Sequence, residues 1–324
     1  MNKKIFYGTA LLLALAAPFG LYPVFLMKIL CFALFACAFN LLIGFTGLLS
    51  FGHAAFFGGA GYVAGYALTH LGLTPEVGIL LGTLAAALIG LVMGSLAIRR
   101  QGIYFTMITL ALAQMLYFVF LQLTFTGGED GLQGVPRGKL FGLLDLSNDL
   151  VLYYVVLAIA VCGFALIMRI VHSHFGQVLK AIKENEPRAI SLGYDVDRYK
   201  LLAFVLSAGL AGLAGATKTL VLGFETLTDV HWSMSGLVVL MTLVGGLGTL
   251  VGPIVGAIVI IALENKLGDL GNWLAVATHI EWFRSIGESV TTVTGLIFIV
   301  CVLVFRRGIV GELAARLNRQ VAPV

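Results

Sequence analysis

Residues 172–200 read HSHFGQVLKAIKENEPRAISLGYDVDRYK and carry nine charged side chains in a chain that is otherwise mostly apolar. Apolar runs flank the stretch, Val151–Ile170 before it and Leu201–Leu222 after it. Both runs have about 20 residues, the length that an α-helix needs to cross the hydrocarbon core of a bilayer. The charged stretch is therefore a loop that leaves the membrane between two spans, where it can meet a partner.

The composition is that of a polytopic membrane protein. Of 324 residues, 60% are hydrophobic and only 11% are charged, whereas soluble domains carry about a quarter charged residues. The predicted fold class is an all-α membrane helical bundle of about 8–10 spans with glycine-rich broken helices. The net charge is +4, but its basic residues cluster beside apolar runs and form no stripe with interleaved aromatic residues, so nucleic-acid binding is not expected.

The basic residues also orient the predicted spans. Clusters of Lys and Arg belong on the cytoplasmic side, which places both chain termini and the charged loop there. The connector 124–150 then faces outward and, because long loops are often functional, is a candidate contact for an external partner. The candidate spans are Ile5–Leu21, Val24–Ile43, Ala54–Leu71, Val77–Ile98, Ile103–Leu123, Val151–Ile170, Leu201–Leu222 and Val290–Phe305.

Two glycine-rich segments are expected to interrupt the helices. Residues 44–53 read GFTGLLSFGH, and the stretch Ser235–Leu263 contains GGLGTLVGP in its middle. Glycine and proline break helices, so we predict two short helices in the second stretch, Leu237–Val244 and Ile254–Leu263, that enter and leave on one side. Interrupted helices in transporters lie near the substrate path, although glycines also let helices pack closely. The candidate path residues are Gly47, Ser50, Gly52, His53, Gly246 and Gly248.

Ser50 and His53 raise the alternative of an intramembrane serine hydrolase. The nucleophile elbow has the form G-x-S-x-G, but Leu48 stands two residues before Ser50, so no catalytic residue is assigned.

The sequence around Lys218 does not form a nucleotide-binding loop, since Thr217 stands where that loop needs Gly before Lys218. Lys218 is interpreted as snorkelling to the outer interface, with the binding of a carboxylate as the alternative. Cys and His residues lack metal-ligand spacing, so no metal site is predicted.

The charged loop divides into two predicted helices. Residues 175–184 have helical periodicity with one apolar edge. Either Asn185 or Glu186 is expected to cap a second helix that has Pro187 in its first turn and ends at Gly193. The apolar edge either rests on lipid headgroups or docks on a partner. Its side chains are Val178, Leu179 and Ile182.

Five segments, in the same order along the chain, carry a resemblance to a known family. They are Gly47–Tyr62 (GLLSFGHAAFFGGAGY), Gly102–Met115 (GIYFTMITLALAQM), Thr126–Pro136 (TGGEDGLQGVP), Phe175–Ala189 (FGQVLKAIKENEPRA) and Gly245–Gly256 (GGLGTLVGPIVG). Together they resemble permease subunits of branched-chain amino acid ABC transporters. The resemblance implies that residues 1–324 form one ABC-importer transmembrane domain and that residues 172–200 are its cytoplasmic coupling loop.

The resemblance also implies which residues couple the chain to a cytoplasmic ATPase subunit. ABC importer permeases typically show E-A-A followed by three residues and Gly in this loop. Ala189 and Gly193 fit that spacing, but Pro187 and Arg188 take the first two places and Glu186 is displaced by one residue. The coupling residues implied are Gly176, Leu179, Ile182, Glu186, Ala189 and Gly193.

The partners and the substrate follow from the same resemblance. It implies a heterodimer with a second related permease in the lipid of the bacterial inner membrane, two cytoplasmic ATPase subunits and a periplasmic amino-acid-binding protein. ATP and Mg are then used by the ATPase subunits, and this chain binds no cofactor. Leucine, isoleucine or valine is the expected substrate, and urea or another small solute is the alternative, because urea permeases belong to a similar group.

Overall fold

The computed structural model describes residues 3–278, 295–296, 299 and 308–312. The chain divides into two compact units, Met1–Gly236 and Leu237–Val324. Most of the described residues are helical, which confirms the all-α fold class. In chain order, the α-helices and β-strands are α1 (Lys3–Ala16), α2 (Pro23–Thr46), α3 (His53–Thr69), α4 (Pro75–Ala97), α5 (Ile103–Gln122), β1 (Lys139–Leu140), β2 (Leu144–Asp145), α6 (Asp149–His172), α7 (His174–Glu184), α8 (Glu186–Ser191), α9 (Val196–Leu222), α10 (Leu227–Val230), α11 (Trp232–Gly245) and α12 (Gly252–Thr278). Three 3-10 turns lie at Ala17–Phe19, Thr124–Thr126 and Gly128–Asp130.

Five of the described helices are long and apolar enough to cross a membrane: α2, α4, α5, α6 and α9. They match five of the predicted spans. Helices α1 and α3 have 14 and 17 residues and cover most of the predicted spans Ile5–Leu21 and Ala54–Leu71. The predicted span Val290–Phe305 lies outside the described residues, except for positions 295–296 and 299.

Helix α9 is the centre of the first unit and packs against α2, α3 and α4. Glycine permits this packing. A Cβ on Gly212 would lie 2.2 Å from the Cβ of Ala86, and a Cβ on Gly215 would lie 1.9 Å from the carbonyl oxygen of Phe57. Small residues at such crossings let membrane helices approach closely. Close packing is therefore the role of these α9 glycines.

The predicted break between residues 44 and 53 is confirmed. Helix α2 ends at Thr46, and Gly47 follows as its C-cap with φ +77°. Glycine adopts this left-handed conformation without the steric penalty of a Cβ. Helix α3 then begins at His53, so the residues Gly47–Gly52 connect two helices in a non-helical segment.

The second predicted break is also confirmed, but both helices are longer than predicted, since α11 begins at Trp232 and not at Leu237. Helix α11 ends at Gly245 and α12 begins at Gly252. Between them, Gly246 and Gly248 have φ angles of +121° and +73°. Helix α12 continues to Thr278 instead of ending at Leu263. The fall in hydropathy after residue 263 ends the apolar stretch without ending the helix, because helix propensity does not require apolar residues.

The connector 124–150 contains regular structure. It contains the two later 3-10 turns and the antiparallel β1–β2 hairpin. The Leu132 N–H donates to the Glu225 carbonyl oxygen at 2.9 Å, and the Glu225 N–H donates to the Leu132 carbonyl oxygen at 2.8 Å. Arg137 also forms an ion pair with Asp149 at 2.6 Å. Backbone hydrogen bonds thus hold the connector against the turn after α9. Such bonds cannot be predicted from the pattern of side chains in the sequence.

Candidate functional site

The loop 172–200 folds as the two helices that its sequence predicts. Ser173 caps α7, because its Oγ accepts a hydrogen bond from the Gly176 N–H at 3.3 Å. Asn185 caps α8, because its Oδ1 accepts from the Arg188 N–H at 3.1 Å. Side-chain caps of this kind satisfy the otherwise unpaired N–H groups at a helix start. Of the two predicted caps for the second helix, the structure selects Asn185.

The apolar edge of this segment faces the protein's own core. Leu179 is 0% exposed, and Ile182 and Ala189 are each 3% exposed. Ile182 and Ala189 belong to one cluster of buried side chains. The expectation that Leu179 and Ile182 dock directly on a partner is therefore wrong, because the chain itself covers them. The large apolar side chains that this segment exposes are Ile190, Leu192 and Tyr194.

Three other predicted coupling residues shape the segment. A Cβ on Gly176 would lie 2.4 Å from the Val171 carbonyl oxygen, so only glycine fits the tight step from α6 to α7. Gly193 has φ +88° and lies two residues beyond the end of α8 at Ser191, which is earlier than the predicted end at Gly193. Glu186 Oε1 accepts from Lys200 Nζ at 2.6 Å and from Gln101 Nε2 at 2.9 Å. Glu186 thus ties α8 to α9 and to the connection between α4 and α5.

The candidate path residues of the first unit are brought together around the break. Gly47 caps α2, and Gly52 directly precedes α3. Gly52 is closely packed, since a Cβ would lie 2.9 Å from Met93 Cε and 3.3 Å from the Thr109 carbonyl oxygen. The break is also held by α5, because Thr106 Oγ1 donates to the Leu49 carbonyl oxygen at 2.9 Å. Gly246 and Gly248 lie in the second unit, in the break between α11 and α12.

Ser50 and His53 do not form a catalytic pair. Both are fully buried, and Ser50 Oγ accepts from the Gly52 N–H at 3.1 Å. His53 Nε2 is instead 2.8 Å from Ser207 Oγ, and that hydroxyl donates to the Ala38 carbonyl oxygen at 2.6 Å. A hydroxyl has one proton to donate, so the His53 Nε2 must carry the hydrogen of its bond. His53 therefore acts as a donor that joins α3 to α9, and not as a base toward either serine.

Lys218 does not snorkel, which corrects the sequence interpretation. It is 3% exposed, and its Nζ forms an ion pair with Glu225 Oε2 at 3.2 Å and another with Asp229 Oδ2. Thr219 Oγ1 also donates to Glu225 Oε2. Helix α9 ends at Leu222, and the chain turns at Gly223, which has φ +75°. This turn brings two carboxylates back to the ammonium, so the lysine finds partners inside the protein.

The buried charges are held between α3, α9 and α10. Gly58 and Gly61 of α3 make room, because a Cβ on Gly58 would lie 2.8 Å from the Asp229 carbonyl carbon and one on Gly61 2.5 Å from Glu225 Cδ. Burial raises the pKa of Glu225 to about 8, against the opposing attraction of Lys218. Burying a charged side chain inside a membrane protein costs free energy, and such side chains usually pair with one another.

The sequence contained a signal for this cluster. Lys218, Glu225 and Asp229 are three ionisable residues within twelve positions on both sides of a glycine, next to an apolar span. Such a spacing across a turn allows ion pairing, which competes with snorkelling. Among the residues that the structure describes, no group of three or more His, Cys, Asp or Glu side chains is placed to hold a metal ion.

These observations define a polytopic helical membrane protein whose helices are interrupted at glycine-rich segments. Residues 23–305 match the family model described as "Branched-chain amino acid transport system / permease component". This match spans most of the chain, and the protein belongs to that family.

Individual relatives show the range of the family. LivM, the permease protein of the high-affinity branched-chain amino acid transport system of Escherichia coli (strain K12), is 26% identical over 300 residues, which are 84% of this chain and 70% of LivM. The autoinducer 2 import system permease protein LsrC of Klebsiella pneumoniae is 29% identical over 198 residues, 58% of this chain and 53% of LsrC. The fructose import permease protein FruG of Bifidobacterium longum is 26% identical over 256 residues, 75% of this chain and 71% of FruG. The names of these import permeases give different substrates.

Proposed function

We propose that this chain is a permease subunit of an ATP-driven importer for branched-chain amino acids in the bacterial inner membrane. The observation that carries the proposal is the family match over residues 23–305. The similarity to LivM over 84% of the chain favours leucine, isoleucine or valine. An apolar path suits their side chains, while the ammonium and carboxylate groups need polar contacts. In this proposal, backbone groups at a glycine break supply such contacts, since irregular backbone is tolerated at membrane depth where it lines a cavity.

The energy for import comes from separate ATPase subunits in this proposal. The sequence lacks a nucleotide-binding loop around Lys218, because Thr217 replaces the required glycine. The chain pairs with a second related permease, and two cytoplasmic ATPase subunits dock below the α7–α8 segment. A periplasmic binding protein delivers the amino acid from the other side, where the ordered connector 124–150 is a candidate contact. The two termini and the α7–α8 segment then share the cytoplasmic side, in agreement with the positive-inside rule.

Uptake of labelled leucine tests the substrate. Deleting this chain is expected to lower leucine uptake at limiting concentration, and the wild-type gene is expected to restore it. Excess isoleucine or valine should compete with labelled leucine, whereas urea and fructose should not. Leucine uptake that is unchanged by the deletion would contradict the assignment. Uptake of urea or fructose that depends on this chain, with no competition by leucine, would favour the other solutes.

A further inference from the structure

The C-terminal turn of α2 is held by α7. Lys183 Nζ donates to the Gly44 carbonyl oxygen at 2.7 Å, across 139 residues of sequence. The last four carbonyl groups of a helix lack partners within that helix, and the helix dipole places partial negative charge there. An ammonium group suits this position in both respects. Lys183 is therefore a C-terminal cap that is supplied by a distant helix.

The contact is close along the length of the lysine side chain. A Cβ on Gly47 would lie 3.3 Å from Lys183 Cγ, so the glycine that ends α2 also makes room for the lysine stem. Lys180, one turn earlier on α7, places its Nζ 5.9 Å from the centre of the Phe45 ring. Both lysines thus reach the same turn of α2, but only the Lys183 ammonium bonds its backbone in the described structure.

The turn that Lys183 holds leads directly into the first glycine break. Gly47–Gly52 separates α2 from α3, and His53 at the start of α3 is bonded to Ser207 of α9. On the other side, α7 is continuous with α8 through the Asn185 cap. Hinges in proteins are a few residues at the ends of elements that absorb changes in backbone angles. A glycine segment next to a held helix end has that form.

We propose that Lys183 is a positioning residue that passes movement of the α7–α8 segment to the Gly47–Gly52 break. This inference rests on the proposed function, in which ATPase subunits move that segment. When the segment shifts, the bonded Lys183 displaces the end of α2, and the break absorbs the change. Without the bond, the ATPase subunits continue to hydrolyse ATP, but the break no longer moves with the α7–α8 segment.

Transport and ATP hydrolysis measured side by side test this role. The full transporter, with its partner permease, ATPase subunits and binding protein, is reconstituted in liposomes. Lys183→Met keeps the length of the side chain and removes the donor. We expect leucine transport to fall at least tenfold while ATPase co-purification and ATP hydrolysis stay within twofold, so fewer molecules are transported per ATP. Lys183→Arg keeps a charged donor and is expected to restore most of the ratio.

Controls separate this effect from a loss of charge or of folding. Lys28→Met makes the same chemical change near the other end of α2 and should keep the transport ratio of the wild type. If Lys183→Met does not insert, Lys183→Gln takes its place, with the same expected fall because the shorter, uncharged amide does not replace the ammonium.

Each remaining result overturns the role of Lys183. A wild-type ratio in Lys183→Met shows that the bond is not needed. Loss of the ATPase subunits from that variant assigns Lys183 to assembly, and failure of Lys183→Arg to recover transport assigns the effect to side-chain shape. The wild-type complex is measured first: if it neither binds ATPase subunits nor transports leucine, the proposed function itself fails.

Discussion

At Lys218 the protein buries an ammonium group between two carboxylates, and this residue shows how charge is accommodated in the apolar bundle. Its side chain is 4% exposed, and those of Glu225 and Asp229 are 0% and 7% exposed. Removing one member of a buried ion pair leaves an uncompensated charge in a poorly solvating environment. The three residues therefore act as one unit. Replacing one of them is expected to lower the free energy of unfolding more than replacing all three together.

We predict that Lys218→Met destabilises the protein by about 3–5 kcal/mol, because both carboxylates lose their cation. The thermal unfolding midpoint in mild detergent measures the effect. Adding Glu225→Gln and Asp229→Asn to the same variant should recover part of the loss, since no buried charge then remains. An unfolding midpoint for Lys218→Met equal to that of the wild type would show that the cluster is not a stabilising unit.

At the scale of the elements, helix crossings depend on single glycines. Gly215 of α9 faces the Phe57 carbonyl oxygen of α3, and a Cβ there would lie 1.9 Å from that oxygen. Gly209 on the same helix is different, because its Cβ would meet only Ala87 Cβ, at an ordinary 3.6 Å. The two positions therefore form a matched pair that separates close packing from helix propensity.

We predict that Gly215→Ala lowers stability by about 1–3 kcal/mol or more, because an overpacked crossing must open. Gly209→Ala should be neutral or stabilising, since alanine has the higher helix propensity. The amount of folded protein in detergent and its unfolding midpoint compare the two variants. Equal behaviour of both would show that the α3–α9 crossing adjusts to the added methyl group.

The turn that follows α8 belongs to the proposed docking surface for the ATPase subunits. Gly193 has φ +88°, and no atom lies within 4 Å of the Cβ position. We predict that Gly193→Asp inserts normally but abolishes uptake and loosens the ATPase subunits, because it places a charge on the proposed docking surface. Gly193→Asn is the control, because asparagine has the same shape and tolerates the left-handed conformation. Normal uptake by Gly193→Asp would place the coupling site in another loop.

Local sequence signals predicted several elements well. Gly47 ends α2, the glycines from 245 to 252 separate α11 from α12, and Asn185 with Pro187 starts α8. Each of these signals acts within a few residues through backbone conformation or capping. The inward direction of the α7 apolar edge was missed, because periodicity shows which side chains share a face and not what covers that face.

Long-range contacts account for what the sequence did not reveal about the site. The bond from Lys183 to Gly44 joins residues 139 positions apart, and the acceptor is a backbone carbonyl present at every residue. The pairing of Leu132 with Glu225 is likewise made by the backbone. His53 looked like part of a serine pair because Ser50 is near in sequence, whereas its hydroxyl partner is Ser207 of α9.

At the scale of the whole molecule, the central claim is that this chain works as one permease subunit of an ATP-driven importer. The family match over residues 23–305 supports the class. The proposed contact for the ATPase subunits is the α7–α8 segment with the residues that follow it, where Ile190 and Leu192 are exposed. A permease of this kind is expected to hold its ATPase subunits stably enough to be isolated with them.

Affinity purification of the tagged chain from its own membranes in mild detergent tests this claim most directly. The account predicts that a second permease and ATPase subunits co-purify, that the complex hydrolyses ATP, and that Gly193→Asp reduces the recovered ATPase while Gly193→Asn does not. A chain that is fully inserted and folded but purifies without any ATPase subunit would contradict it.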